Sequence, residues 1–181
     1  MHFPLHTDTP TEGLSLEALF EGQGKDLPEM KARMTRLMAE EGLPYGDRSH
    51  TYNSRLAQEM AKWGEAELES RAGSPEEAQT LAQGMHKALF QAYFVDGLNI
   101  AEADVLAGVA AKAGLDPDEA RRVVAERRFS DAVDDDWAMA RSVGVAGVPT
   151  FAMGGYGVVG AQPYEALDKF VRQMLEGGEP D

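Results

Sequence analysis

Apolar positions recur at helical spacing through most of the chain and at strand spacing only near its end. Met30, Met34, Leu37 and Met38 share one helix face, with Asp26 and Pro28 before them and Gly42 after. Leu56, Met60 and Trp63 mark a second helix, opened by Asn53. Ser74-Pro75-Glu76-Glu77 reads as a capping box with proline at the first helical position. It leads into Leu81, Met85, Leu89 and Tyr93, and Gly97 stops the run. Val105, Leu106 and Val109 come next, ended by Gly114, and Asp116-Pro117-Asp118-Glu119 opens another helix by the same device. Ser130 is expected to cap the next, with Val133, Trp137, Ala140 and Val143 on its inner face.

The period then changes. Val145 to Met153 and Tyr156 to Ala161 are short extended runs, and Gly154-Gly155 between them supplies the positive φ of a two-residue hairpin turn. Pro163 starts a last helix, with Leu167, Phe170, Val171 and Met174 expected to face inward, and the terminal Gly-Gly-Glu-Pro-Asp is expected to fray. His2 to His6 is the other extended candidate. A lone hairpin is marginal in water, so this one must pack on helices or join a larger sheet.

The totals narrow the function classes. A chain of 181 residues holds one domain, or one domain with a large insertion. A net charge of -14 repels phosphate backbones and anionic lipid, so neither nucleic acid nor membrane is expected as a partner. With no cysteine, disulfides, thiolate catalysis and cysteine-based metal sites are closed to this chain. The opening MHFPLHTDTP has neither the basic nor the apolar stretch of a signal peptide, and a cytoplasmic location is expected.

Most polar clusters read as scaffold. His2, His6, His50 and His86 are scattered and form no ready metal grip. Asp134-Asp135-Asp136 is a charge run on a helix, better read as a solvated face than as paired catalytic carboxylates. Asp116-Pro117-Asp118 is a helix start and not a calcium loop. MGGYGVVG lacks the strand–glycine–helix order of a nucleotide cradle. Arg121-Arg122 and Arg127-Arg128 are expected to pair with neighbouring acids on the helix. The nine methionines are expected mostly to fill the core, with an adaptable binding groove as the second reading. No metal and no cofactor are expected.

Val148-Pro149-Thr150 admits two readings from its residues alone. One is a proline at the first position of an edge strand, where no ladder donor is needed. The other is a cis bond that turns the preceding main chain outward, free to pair with an extended peptide. Both stay open on this ground.

GVAGVPTFAMGGYGVVGAQPYEALDKFV resembles the C-terminal half of DsbA-family thioredoxin-like proteins, and is especially similar to the FrnE-like branch of dithiol oxidoreductases. Thr51-Tyr52-Asn53-Ser54 and ALFQAYFVDGLNIAEADVLAGVAAKAGLD resemble that family's helical insertion, and HFPLHTDTPTEG its second core strand. The resemblance implies an α/β, thioredoxin-like (DsbA-like) fold with a large all-helical insertion. Residues 1–14 and 144–181 would form a partial thioredoxin-like domain, and residues 15–143 the helical insertion with its connecting helices. It implies a cis-proline at Pro149, with Val148, Pro149 and Thr150 binding substrate.

The family's first strand and the helix carrying Cys-x-x-Cys have no counterpart here, so a truncated version of a longer protein is the expected origin. Without thiols, neither the attack on a disulfide nor its resolution is possible. No catalytic residue is therefore assigned, and whether the chain is an enzyme stays open. The reading is an oxidoreductase-family member that is redox-inactive as this chain. The family implies peptide or protein thiols as partners, with glutathione as another. A homodimer is one way to close the open sheet edge. Two alternatives stand beside it. One is a non-enzymatic peptide- or partner-binding module. The other is a glutathione-dependent isomerase of the 2-hydroxychromene-2-carboxylate type, lacking its nucleophile segment. At the insertion helix, Gln58 stands where relatives would carry a basic or imidazole side chain, so small-ligand contacts are not carried over from there.

Overall fold

The computed structural model describes residues 1–177, and the expected fraying of the tail falls largely on 178–181, outside them. The chain divides into two compact units: His6–Asp134, and Met1–Leu5 together with the segment from Asp135 onward.

The larger unit is mostly helical. In chain order it holds β1 (Leu14–Ser15), α1 (Leu16–Phe20), α2 (Leu27–Glu40), β2 (His50–Thr51), α3 (Arg55–Arg71) and α4 (Pro75–Phe90). A π-helical turn (Gln91–Val95), α5 (Ala103–Lys112) and α6 (Pro117–Glu126) complete it. Local side chains set the helix starts. Asp26, Ser74 and Asp116 each accept a hydrogen bond from a first-turn amide, and a proline lies within the next two residues. Asn53 opens α3 by accepting from the amide of Arg55 at 2.9 Å. The core lies among α3, α4, α5 and α6, around Met60, Met85, Leu106 and Val109. Gly64 lets α3 and α4 close together, since a Cβ there would lie 2.7 Å from the Met85 side chain.

Two expectations fail along the chain. His2 to His6 is not a strand; the strand pairing lies instead between Leu14–Ser15 and His50–Thr51. Pro4 has no amide to donate, Leu5 turns back to donate to the Phe3 carbonyl, and His6 adopts a φ of 52°. The methionines are not mostly core. Met60 and Met85 are sealed, but Met1, Met30, Met34 and Met139 are exposed, and α2 buries no residue at all. Helical spacing shows that a face is apolar, not that another element covers it.

The helix α7 (Ser130–Ser142) begins in this unit and ends in the other. Ser130 is its first helical residue and not its cap, because the chain leaves α6 through a left-handed Arg127 and Ser130 already donates to the Arg127 carbonyl.

The smaller unit continues with β3 (Thr150–Met153), β4 (Tyr156–Val159) and α8 (Tyr164–Leu175). The hairpin pairs Met153 with Tyr156 and Thr150 with Val159, across Gly154 and Gly155 at φ 61° and 86°. Positive φ at both turn positions gives the twist that two antiparallel strands require. Ala140 and Phe170 are buried, whereas Val143 and Val171, expected inside, are exposed. Val143 falls just past the end of α7, and Val171 lies at the edge of the apolar stripe of α8, where a small rotation decides burial. Among the described residues no helix is long and apolar enough to cross a membrane.

Candidate functional site

The hairpin places the three sequence-selected residues at its mouth. In a two-residue hairpin the pair flanking the turn exchanges hydrogen bonds, and pairing then alternates along the ladder. Met153–Tyr156 and Phe151–Val158 are thus the bonded pairs, and the Gly160 amide donating to the Pro149 carbonyl at 2.8 Å continues the same phase. Thr150 and Ala152, in the intervening positions, turn their N–H and C=O away from β4. Among the described residues β3 has no other strand beside it, so these groups meet an open edge.

Val148 lies just before that edge. Its peptide bond to Pro149 is cis, its side chain is half exposed, and its main chain makes no hydrogen bond among the described residues. The Thr150 hydroxyl donates to the Gly147 carbonyl at 2.7 Å and folds Gly147–Thr150 into a compact corner. A cleft of about 420 Å³ opens along the hairpin, lined by Val143, Val145, Thr150, Ala152, Tyr156 and Val159 among others. No titratable side chain points to catalysis here. Main-chain donors and acceptors, flanked by apolar side chains, suit recognition of an extended backbone.

Elsewhere, one buried charge escaped the sequence reading. Glu59 on α3 is sealed from solvent. Arg127 donates to its two oxygens at 2.6 and 2.8 Å, and Arg55 donates to one at 2.6 Å. Arg55 also bonds Asp134 at 2.6 Å and the Ser130 carbonyl at 2.8 Å. Burial pushes the Glu59 carboxyl up, but the hydrogen bonds from Arg127 and Arg55 outweigh it and hold the group below the usual carboxylate range. A carboxylate so engaged is a brace and not a proton acceptor. Arg121, Arg122 and Arg128 do pair with nearby acids, Asp118, Glu119 and Glu126 among them, but Arg127 reaches across to α3.

The Asp134–Asp136 run is more engaged than a solvated face. Asp134 meets Arg55, and Asp136 accepts from the His2 amide at 2.7 Å. His86 lies 2.6 Å from Glu65, His50 lies 2.8 Å from the Ser49 hydroxyl, and no metal-binding cluster occurs among the described residues. Gln58 donates to the Ser54 hydroxyl at 3.0 Å, within its own helix start.

A search of curated proteins finds no match to the chain. A scan of family models matches the DSBA-like thioredoxin domain over residues 1–172. That match spans nearly the whole chain and accommodates both the helical unit and the closing hairpin and helix. The protein is therefore a cysteine-free member of the DSBA-like thioredoxin domain family, with an α/β thioredoxin-like fold carrying a helical insertion.

Proposed function

We propose that this chain is a FrnE-like family member that binds an extended peptide by strand addition along Val148–Ala152 and catalyses no dithiol–disulfide exchange. The observation that carries the reading is the open edge of β3, where the main chains of Val148, Thr150 and Ala152 have no partner strand among the described residues. An edge of this kind gains affinity from main-chain hydrogen bonds, and the apolar side chains of the cleft select among sequences. The family's chemistry acts on peptide and protein thiols, which makes an unfolded, cysteine-containing segment the natural ligand. With no thiol of its own, the chain holds such a segment without exchanging disulfides.

Ala152→Pro tests the edge. Its amide points away from β4, so proline removes a donor to the ligand and none from the hairpin. Binding of a reduced, unfolded cysteine peptide is expected to weaken about tenfold, the size of one or two hydrogen bonds. Gly157→Pro removes the equivalent donor from the outer edge of β4 and should leave binding intact. Equal affinity of Ala152→Pro and the parent chain, with the hairpin amides still protected, overturns the proposal. Insulin reduction above background would overturn its second half.

A further inference from the structure

The larger unit contains an apolar pocket walled in part by the methionines of α2, whose helical spacing had suggested core filling. It measures about 620 Å³, and its walls include Met34 and Met38 of α2, Leu43, and Phe90 and Phe94 at the end of α4 and in the π-helical turn. That volume falls within the range of small-molecule sites, roughly 300–1,000 Å³. Met34, Leu43 and Phe90 are each substantially exposed, so the pocket is open to a ligand. The π-helical turn is a second pointer, because such turns recur at functional sites.

The charge of the lining is the third. The chain carries 31 acidic and 17 basic residues, yet the pocket is lined by Arg48 and Lys87 and by no carboxylate. Arg48 is fixed in place. One terminal nitrogen donates to the His50 carbonyl at 2.9 Å and to the Tyr93 hydroxyl at 2.7 Å. The guanidinium lies over the Tyr93 and Phe94 rings, 4.7 and 5.5 Å from their centroids. Its Nε is buried without a hydrogen-bond partner, and no carboxylate pairs with it among the described residues. Asp47, its chain neighbour, is held by Lys31 at 2.6 Å, and His86 in the wall is engaged by Glu65. A partly buried cation without a counter-charge is costly, and an anion arriving with the ligand relieves that cost.

We propose that this pocket binds an amphiphilic monocarboxylate of the fatty-acid type. The carboxylate meets Arg48, with Lys87 adding to the field, and the apolar chain lies along Met34, Met38, Phe90 and Phe94. Methionine walls suit a flexible chain, because the unbranched thioether side chain conforms to variable shapes. The site belongs to the larger unit and does not rest on the hairpin edge.

Calorimetric titration of the intact chain with laurate, below its micelle concentration, tests the proposal. Dodecanol and dodecyltrimethylammonium share the tail and differ in the head. One laurate per chain is expected, bound about tenfold more tightly than dodecanol, as for one charge-assisted hydrogen bond, with the cation weakest. Arg48→Gln should bring laurate to the level of dodecanol and leave dodecanol unchanged. Should Arg48→Gln perturb the fold, Phe90→Asp at the exposed rim should still abolish laurate binding, since it places a like charge at the entrance. Equal binding of laurate and dodecanol, or several laurates per chain, overturns the proposal. So does a dimer in sedimentation that laurate does not dissociate and that buries Phe90.

Discussion

Arg127, sixty-eight residues beyond Glu59, donates to both oxygens of that buried carboxylate. Arg127 holds a left-handed backbone at the end of α6 while doing so. Glu59→Gln should cost about 1–3 kcal/mol in urea denaturation, because it leaves the mostly buried Arg55 and the half-exposed Arg127 facing a neutral amide. Replacing Glu59, Arg55 and Arg127 together by apolar residues should recover much of that loss. A triple variant no more stable than the single one would sink this account.

The same carboxylate sets an acid limit. Its folded-state pKa lies below the ordinary value. Its contribution is therefore complete above the unfolded carboxylate pKa of about 4.3 and disappears as the pH falls through the lower folded value. Urea midpoints measured from pH 6 down to pH 2 should drop most steeply below about pH 4. The drop should be shallower in Glu59→Gln, and parallel curves for the two proteins would refute the assignment.

Gly46 pins the loop before Arg48 to the π-helical turn, its amide donating to the Phe94 carbonyl at 2.9 Å. A Cβ there would lie 2.1 Å from the Val95 carbonyl oxygen, so even alanine forces the two backbones apart. Gly46→Ala should lower stability by about 1–3 kcal/mol, as overpacking does. Faster amide exchange at Gly46 than in the parent chain is the local readout.

Gly155 turns the hairpin at φ 86°. Gly155→Val should cost about 1–2 kcal/mol, since a β-branched residue tolerates that region poorly. The loss should appear as faster exchange of the Met153 and Tyr156 amides. Unchanged protection would mean that the turn does not hold the strands together.

The features legible in the chain alone were the local ones. The caps at Asp26, Ser74 and Asp116 lie within three residues of the amides they satisfy, and Gly154-Gly155 forms its turn unaided. The hairpin register came from that turn. The illegible features needed a partner distant in sequence. Glu59 sits between Gln58 and Met60 like any polar helix residue, and nothing nearby announces Arg127. The stripe on α2 has the spacing of a core face, yet the spacing of Met30, Met34 and Leu37 carries no word of what lies opposite. Pro4 and the positive φ of His6 decide the opening segment, where five residues of alternation were too short a signal.

The widened turn at Gln91–Val95 also has a consequence for how this helix tolerates change in length. It holds about one residue more per turn than the regular winding of α4 before it, and it closes that helix, with Asp96 as the cap. Deleting one residue there would let the helix relax into regular winding, at the expense of the aromatic wall. The same deletion in α3 would rotate Met60 and Trp63 out of register with everything they touch. Natural variation in length along this stretch of the chain should therefore collect at the π-helical turn.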